Sequence, residues 1–64
     1  MKKSEEIVRN WFSKDLLKGK DIDILSSENQ FNVRNMLAGF LQACEKFDHL
    51  SAGESEKLFM ELAK

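Results

Sequence analysis

A single segment, Ser27 to Asp48, decides most of what this chain can fold into. Eight of its apolar residues are Val33, Met36, Leu37, Phe40, Leu41, Ala43, Cys44 and Phe47. Plotted at 100° per residue, they fall within an arc of about 160°. A strand would scatter them over two faces; a helix gathers them on one. An arc this wide predicts a helix that touches two others at once. Ser27 and Gln30 supply an S-x-x-Q capping box at its start. Phe31 lies on the opposite side of the wheel, where an aromatic near the cap can fold back on Leu25 in a staple-like contact. Gly39 sits mid-helix, where it costs about 1 kcal/mol against alanine. A close helix crossing would explain it.

Two flanking segments offer the cover. Ser4 to Lys18 reads as a first helix, with Ser4 as its cap and Glu5 and Glu6 in the first turn, where the helix dipole favours negative charge. Ile7, Val8, Trp11, Phe12 and Leu16 recur at helical spacing on one face. Gly19 follows where a left-handed cap is needed. Ser51 and Glu54 form a second capping box, S-x-x-E, that opens a third helix with Ala52, Ser55, Leu58, Phe59 and Leu62 on its inner face. Between the first two helices, Asp21-Ile22-Asp23-Ile24 alternates like a strand but has no strand to pair with. It reads as a loop or short helical turn whose Ile22, Ile24 or Leu25 plugs the end of the core. The expected fold is all-α: a compact three-helix bundle with helices at about 4–18, 27–48 and 52–63 and a short irregular connection at 19–26.

Size limits how this fold can be stabilised. The chain has 64 residues, which is one domain, 1–64, and no more. Such a chain buries only about 60% of the surface its unfolded form exposes. With one cysteine, Cys44, an internal disulfide is excluded. One thiol and one histidine, His49, are too few for a closed structural zinc site. Helix packing, self-association or a partner remain. No apolar run approaches the roughly 20 residues that cross a bilayer. The Met1-Lys2-Lys3-Ser4-Glu5-Glu6 start has no apolar stretch behind it and is not a secretory signal. The expectation is a complete small protein in the cytoplasm.

Chemistry is hard to find in the sequence. Cys44 lies inside the apolar arc and reads as a small buried hydrophobe. His49 reads as a junction residue after the second helix. There is no Gly-rich phosphate loop, H-E-x-x-H or nucleophile elbow. Asp21 and Asp23 begin like a calcium loop, but Leu25 stands where the third oxygen ligand belongs. The reading is no enzyme, no cofactor, no metal and no small-molecule substrate.

Binding is what remains. Asp15 points along the middle of the first helix's apolar face at 100° per residue, either reaching Lys18, Lys20 or a facing helix N-terminus, or waiting for a cation on a partner. Trp11 is the sole tryptophan, a core anchor or a binding hot spot. Leu17 and Met60 lie off the buried faces of their helices and together could mark a patch. Trp11, Asp15, Leu17 and Met60 are therefore the candidate partner contacts. The function expected is a non-catalytic protein-binding module, a regulator or inhibitor acting through a helical face on another protein or on a second copy of itself. A structural or accessory subunit of a larger complex is the plainer alternative. A nucleic-acid binder is the other: residues 1–20 carry six basic side chains against three acidic, and residues 21–64 four against eight. The second and third helices also resemble a helix-turn-helix in spacing. Glu54, Glu56 and Glu61 on the third helix would repel a phosphate backbone, which disfavours that reading.

Overall fold

The computed structural model describes residues 3–63. Three helices run up, down and up: α1 (Lys3–Asn10), α2 (Ser27–Lys46) and α3 (Ala52–Leu62). α1 continues without a break into a π-helical segment, Trp11–Leu16, and a single 3₁₀ turn, Ile22–Ile24, lies in the first connection. Antiparallel pairing follows from contacts at the ends. Ser4 and Ile7 share a groove with Cys44 and His49, while Trp11 lies against Phe40. Arg34, early in α2, donates from Nε to the carbonyl of Ala63 just past α3, at 2.8 Å. The all-α, three-helix architecture read from the sequence is the one the chain adopts.

The core is the shared interior of the three helices. Val8 and Phe12 enter it from the first helix, Val33, Leu37 and Leu41 from α2, and Leu58 from α3. Leu50 closes one end; at the other Ile22 is buried, Leu25 half-buried and Ile24 68% exposed. The plug predicted for the connection is thus Ile22.

The π-helical segment changes the first helix most. Ser13 turns its hydroxyl back onto the carbonyl of Arg9, at 2.9 Å, a contact that bends helices. Hydrogen bonds then reach five residues back instead of four: the amide of Leu17 donates to the carbonyl of Phe12 at 2.9 Å. One full turn after Phe12 the chain therefore arrives at Leu17. That overturns two expectations based on a uniform 100° step. Leu17 is buried, not a surface residue, and Asp15 is exposed instead of centred on the apolar face. Helicity stops at Leu16, not Lys18, because Lys18 (φ 54°) and Gly19 (φ 79°) are both left-handed. Glycine tolerates that region without cost. Ser4 is inside the helix, not its cap.

Two further corrections concern α2. Its cap is Ser26, whose Oγ accepts from the amide of Asn29 at 3.2 Å. Ser27 is the first helical residue, and Gln30 reaches back to the carbonyl of Leu25, at 3.0 Å. Gln30 secures the entry that Phe31 was expected to staple; Phe31 stands 63% exposed. The second capping box forms as read, with Glu54 Oε1 accepting from Ser51 N–H at 2.8 Å and Ser51 Oγ from Glu54 N–H at 3.1 Å.

The most extensive backbone proximity between helices is that of α2 and α3. Ser55 makes it feasible: it is 4% exposed, lies between the two helices beside Ala38 and Leu41, and its hydroxyl has no hydrogen-bond partner. Gly39 does not mark this crossing. A Cβ built there meets nothing within 4 Å, so the glycine answers to no contact inside the fold.

Three thermal melts at low concentration check this packing. Gly39→Ala raises stability by about 1 kcal/mol, or roughly 4–8 °C for a domain this size. Ser55→Ala also melts higher, since a buried hydroxyl left unpaired costs about 1–3 kcal/mol. Ser55→Leu melts lower, because overpacking a close crossing costs about 1–3 kcal/mol. A Ser55→Leu chain as stable as the parent would contradict the crossing described.

Candidate functional site

α2 carries a wider apolar arc than α1 and α3 can cover. Its inner half is used: Val33, Leu37 and Leu41 are buried. Its outer edge is not. Met36 is 55% exposed, Phe47 68% exposed, and Ala43 lies exposed between them. All three were expected in the core. Ile7 on α1, expected there too, is 53% exposed. Of these, Ile7 lines a furrow along the α1–α2 seam; Met36, Ala43 and Phe47 are not among its lining residues. Ile7 and Phe40 line both its halves; Cys44 and His49 lie in one, Trp11, Lys14 and Asp15 in the other.

The furrow has an aromatic floor. The rings of Trp11 and Phe40 are stacked, with centroids 4.3 Å apart and planes 16° from parallel. Trp11 also meets Phe12 at 6.3 Å and 52°. Such pairs add about 0.5–1.5 kcal/mol beyond the area they bury. Trp11 is half-buried, so it anchors α1 to α2 and still shows an edge to solvent.

The four residues singled out from the sequence separate here. Trp11 and Asp15 line the same half of the furrow. Met60 is 67% exposed but belongs to a different groove, between α2 and α3 beside Ala38 and Phe59. Leu17 is in the core. The residues that pattern reading missed are Ile7, Met36 and Phe47, all assigned to the interior. A signal existed for Met36: from Asn35 to Cys44 no residue is charged, although a third of the chain is. A helix that meets solvent on one side normally carries charge there.

The charged side chains in the furrow's lining are Lys14 and Asp15. Arg9 Nη1 and Glu61 Oε2 form an ion pair joining the first helix to α3. The hydrogen bond to Glu61 raises the Arg9 guanidinium above its ordinary value. Both side chains are partly exposed, so the pair contributes at most about 1 kcal/mol. Cys44 is half-buried beside Ile7 and Phe40, and burial pushes its thiol up. That is the reverse of what an attacking thiolate needs. Its groove, about 220 Å³, includes no acidic side chain to orient His49. Among the described residues no three His, Cys, Asp or Glu side chains come together as a metal site, and no helix is long and apolar enough to cross a membrane.

Comparison with protein-family models, with curated proteins and with solved structures finds no match.

The Cys44 environment gives a measurable consequence. At pH 7–8 its thiol reacts with an aromatic disulfide reagent more slowly than free cysteine does, and the deficit disappears in denaturant. Equal rates in the folded chain would mean that Cys44 is not held among these apolar neighbours. The raised thiol pKa also adds stability that is complete below the unfolded value and fades as pH climbs through the folded one.

Proposed function

We propose that this chain is a non-catalytic protein-binding module, a regulator or inhibitor that docks through the α1–α2 face. One observation carries the reading: the apolar side chains Ile7, Met36 and Phe47 are each more than half exposed, and Met36 stands on a stretch of α2, Asn35 to Cys44, without charge. Interface centres have this composition, rich in aromatic residues and methionine and depleted of charge. Completing the burial of those three side chains yields about 1–2 kcal/mol each. Association itself costs about 4–15 kcal/mol. These side chains therefore support a modest, reversible contact unless the partner also engages Trp11 and Phe40. The basic first helix is a poorer nucleic-acid surface than its sequence suggests, since Arg9 is held by Glu61.

Position-resolved photo-crosslinking in the native cell tests the proposal. A benzophenone side chain replaces Met36 or Phe47 on the stripe, or Glu56 on α3 as a control. Protein adducts from positions 36 and 47, and none from 56, are expected. Equal yields at all three positions, or none at any, would sink the assignment of this face.

A further inference from the structure

Building on the α1–α2 face as a docking surface, we propose that its occupant is a second copy of this chain, paired antiparallel through α2 about a two-fold axis near residues 41 and 42. The first support is spacing. Val33, Met36, Phe40, Ala43 and Phe47 follow one another in steps of three, four, three and four. That is the a/d rhythm of a helix that packs lengthwise on another helix. The chain's own fold buries only the first of them fully and leaves Met36, Ala43 and Phe47 open.

The second support is self-complementarity. A two-fold interface sets residue i against j and j against i. With Phe40 opposite Ala43 of the second copy, Met36 falls opposite Phe47, and the same two pairs recur across the axis. Each bulky ring meets a small or pliable side chain. In a parallel arrangement Phe40 would meet Phe40 and Ala43 would meet Ala43, leaving crowding at one level and a gap at the next.

The third is charge. A partner recognised by ion pairing would need charge along the stripe, and Asn35 to Cys44 has none. The charges near it come in opposite pairs: Lys14 and Asp15 in the furrow beside Phe40, and Lys46 and Asp48 around Phe47. A net charge of −1 per chain adds little repulsion between copies.

Area sets the strength. A folded monomer of 7.4 kDa exposes about 4200 Å²; this chain exposes 4614 Å². Its outline is 33 × 18 × 15 Å, so even an entire broad face spans only roughly 600 Å², short of the about 800 Å² per partner in a standard interface. The dimer is weak, and its test belongs at high concentration.

Sedimentation equilibrium from roughly 5 µM to roughly 1 mM should show the mass rising from monomer towards dimer by mass action. M36K alone and F47E alone should each weaken association by roughly tenfold or more, as loss of a central apolar contact does. Circular dichroism should find their helix content unchanged, because both positions are exposed; should either lose helix, Met36→Ser and Phe47→Ser replace it in the single-variant comparison. Mixing M36K with F47E in equal amounts should restore the dimer. One end then sets lysine against glutamate, and the other keeps Met36 against Phe47. Parallel pairing cannot give that rescue, so a dimer without it overturns the antiparallel register. A dimer indifferent to both substitutions overturns this face as its seam. A parent chain still monomeric at the top concentration overturns the second copy as occupant. In that case stripe-specific adducts to a different protein would leave the docking face standing, and their absence would remove both.

Discussion

Everything in this fold depends on Leu37 being fully enclosed where one long helix meets two short ones. α2 has 20 residues, against eight in α1 with six more in its π-helical continuation, and 11 in α3. The long helix supplies a continuous inner row, Val33, Leu37 and Leu41, and the short helices supply the walls. Removing Leu37 would open a cavity in the middle of that row, where losses of about 2–5 kcal/mol are usual. A domain this small has little more than that in reserve. The remaining features are ways of fitting short walls to a long row: the widened turn at Trp11–Leu16, Ile22 folded over one end and Leu50 over the other.

The helices and their order could be read from spacing because burial periodicity survives in any stable amphipathic helix. The Ser51–Glu54 cap was equally legible, since both partners lie within four residues of each other. Failures came where the answer depends on what lies across the chain. Leu17 and Asp15 were misplaced because a uniform step cannot anticipate hydrogen bonds that reach five residues back. The wide turn accompanies the Ser13 bond to the Arg9 carbonyl, and a serine inside a helix does not by itself announce that its hydroxyl turns back. Ser26 and Ser27 are chemically identical as caps, and the choice between them follows from where Gln30 can reach Leu25. Met36, Ala43, Phe47 and Ile7 were assigned to the core because an apolar face looks the same whether its cover belongs to the same chain or to another molecule.

That last ambiguity is physical. Hydrophobic burial is non-directional and scales with area, so a sequence encodes how much surface wants cover and not what provides it. What distinguishes the two halves of the α2 arc is reach. The two short helices fill the side of α2 that holds Leu37 and Leu41. Phe47 at the far end and Met36 on the outer edge lie beyond them. The absence of charge from Asn35 to Cys44 belongs to the same account. A helix shielded on one side only would tolerate lysine or glutamate outside, and this one carries none there.

The attachment of α1 links stability to binding. α2 and α3 approach each other closely through Ser55, whereas α1 is held mainly by large side chains: Trp11 stacked on Phe40, Phe12 in the core, and the Arg9–Glu61 pair at its edge. Regions with fewer buried contacts open more readily than the rest of a domain. The furrow lies along that same seam, with Ile7 and Phe40 on its two sides. Whatever fills it touches both helices and so binds only the state in which α1 is docked. By mass action such an occupant stabilises α1 in place, and a substitution that loosens Trp11 from Phe40 weakens binding without touching the partner. The residue that anchors the fold and the residue that shapes the binding face are then one and the same, because the chain is too short to keep the two tasks apart.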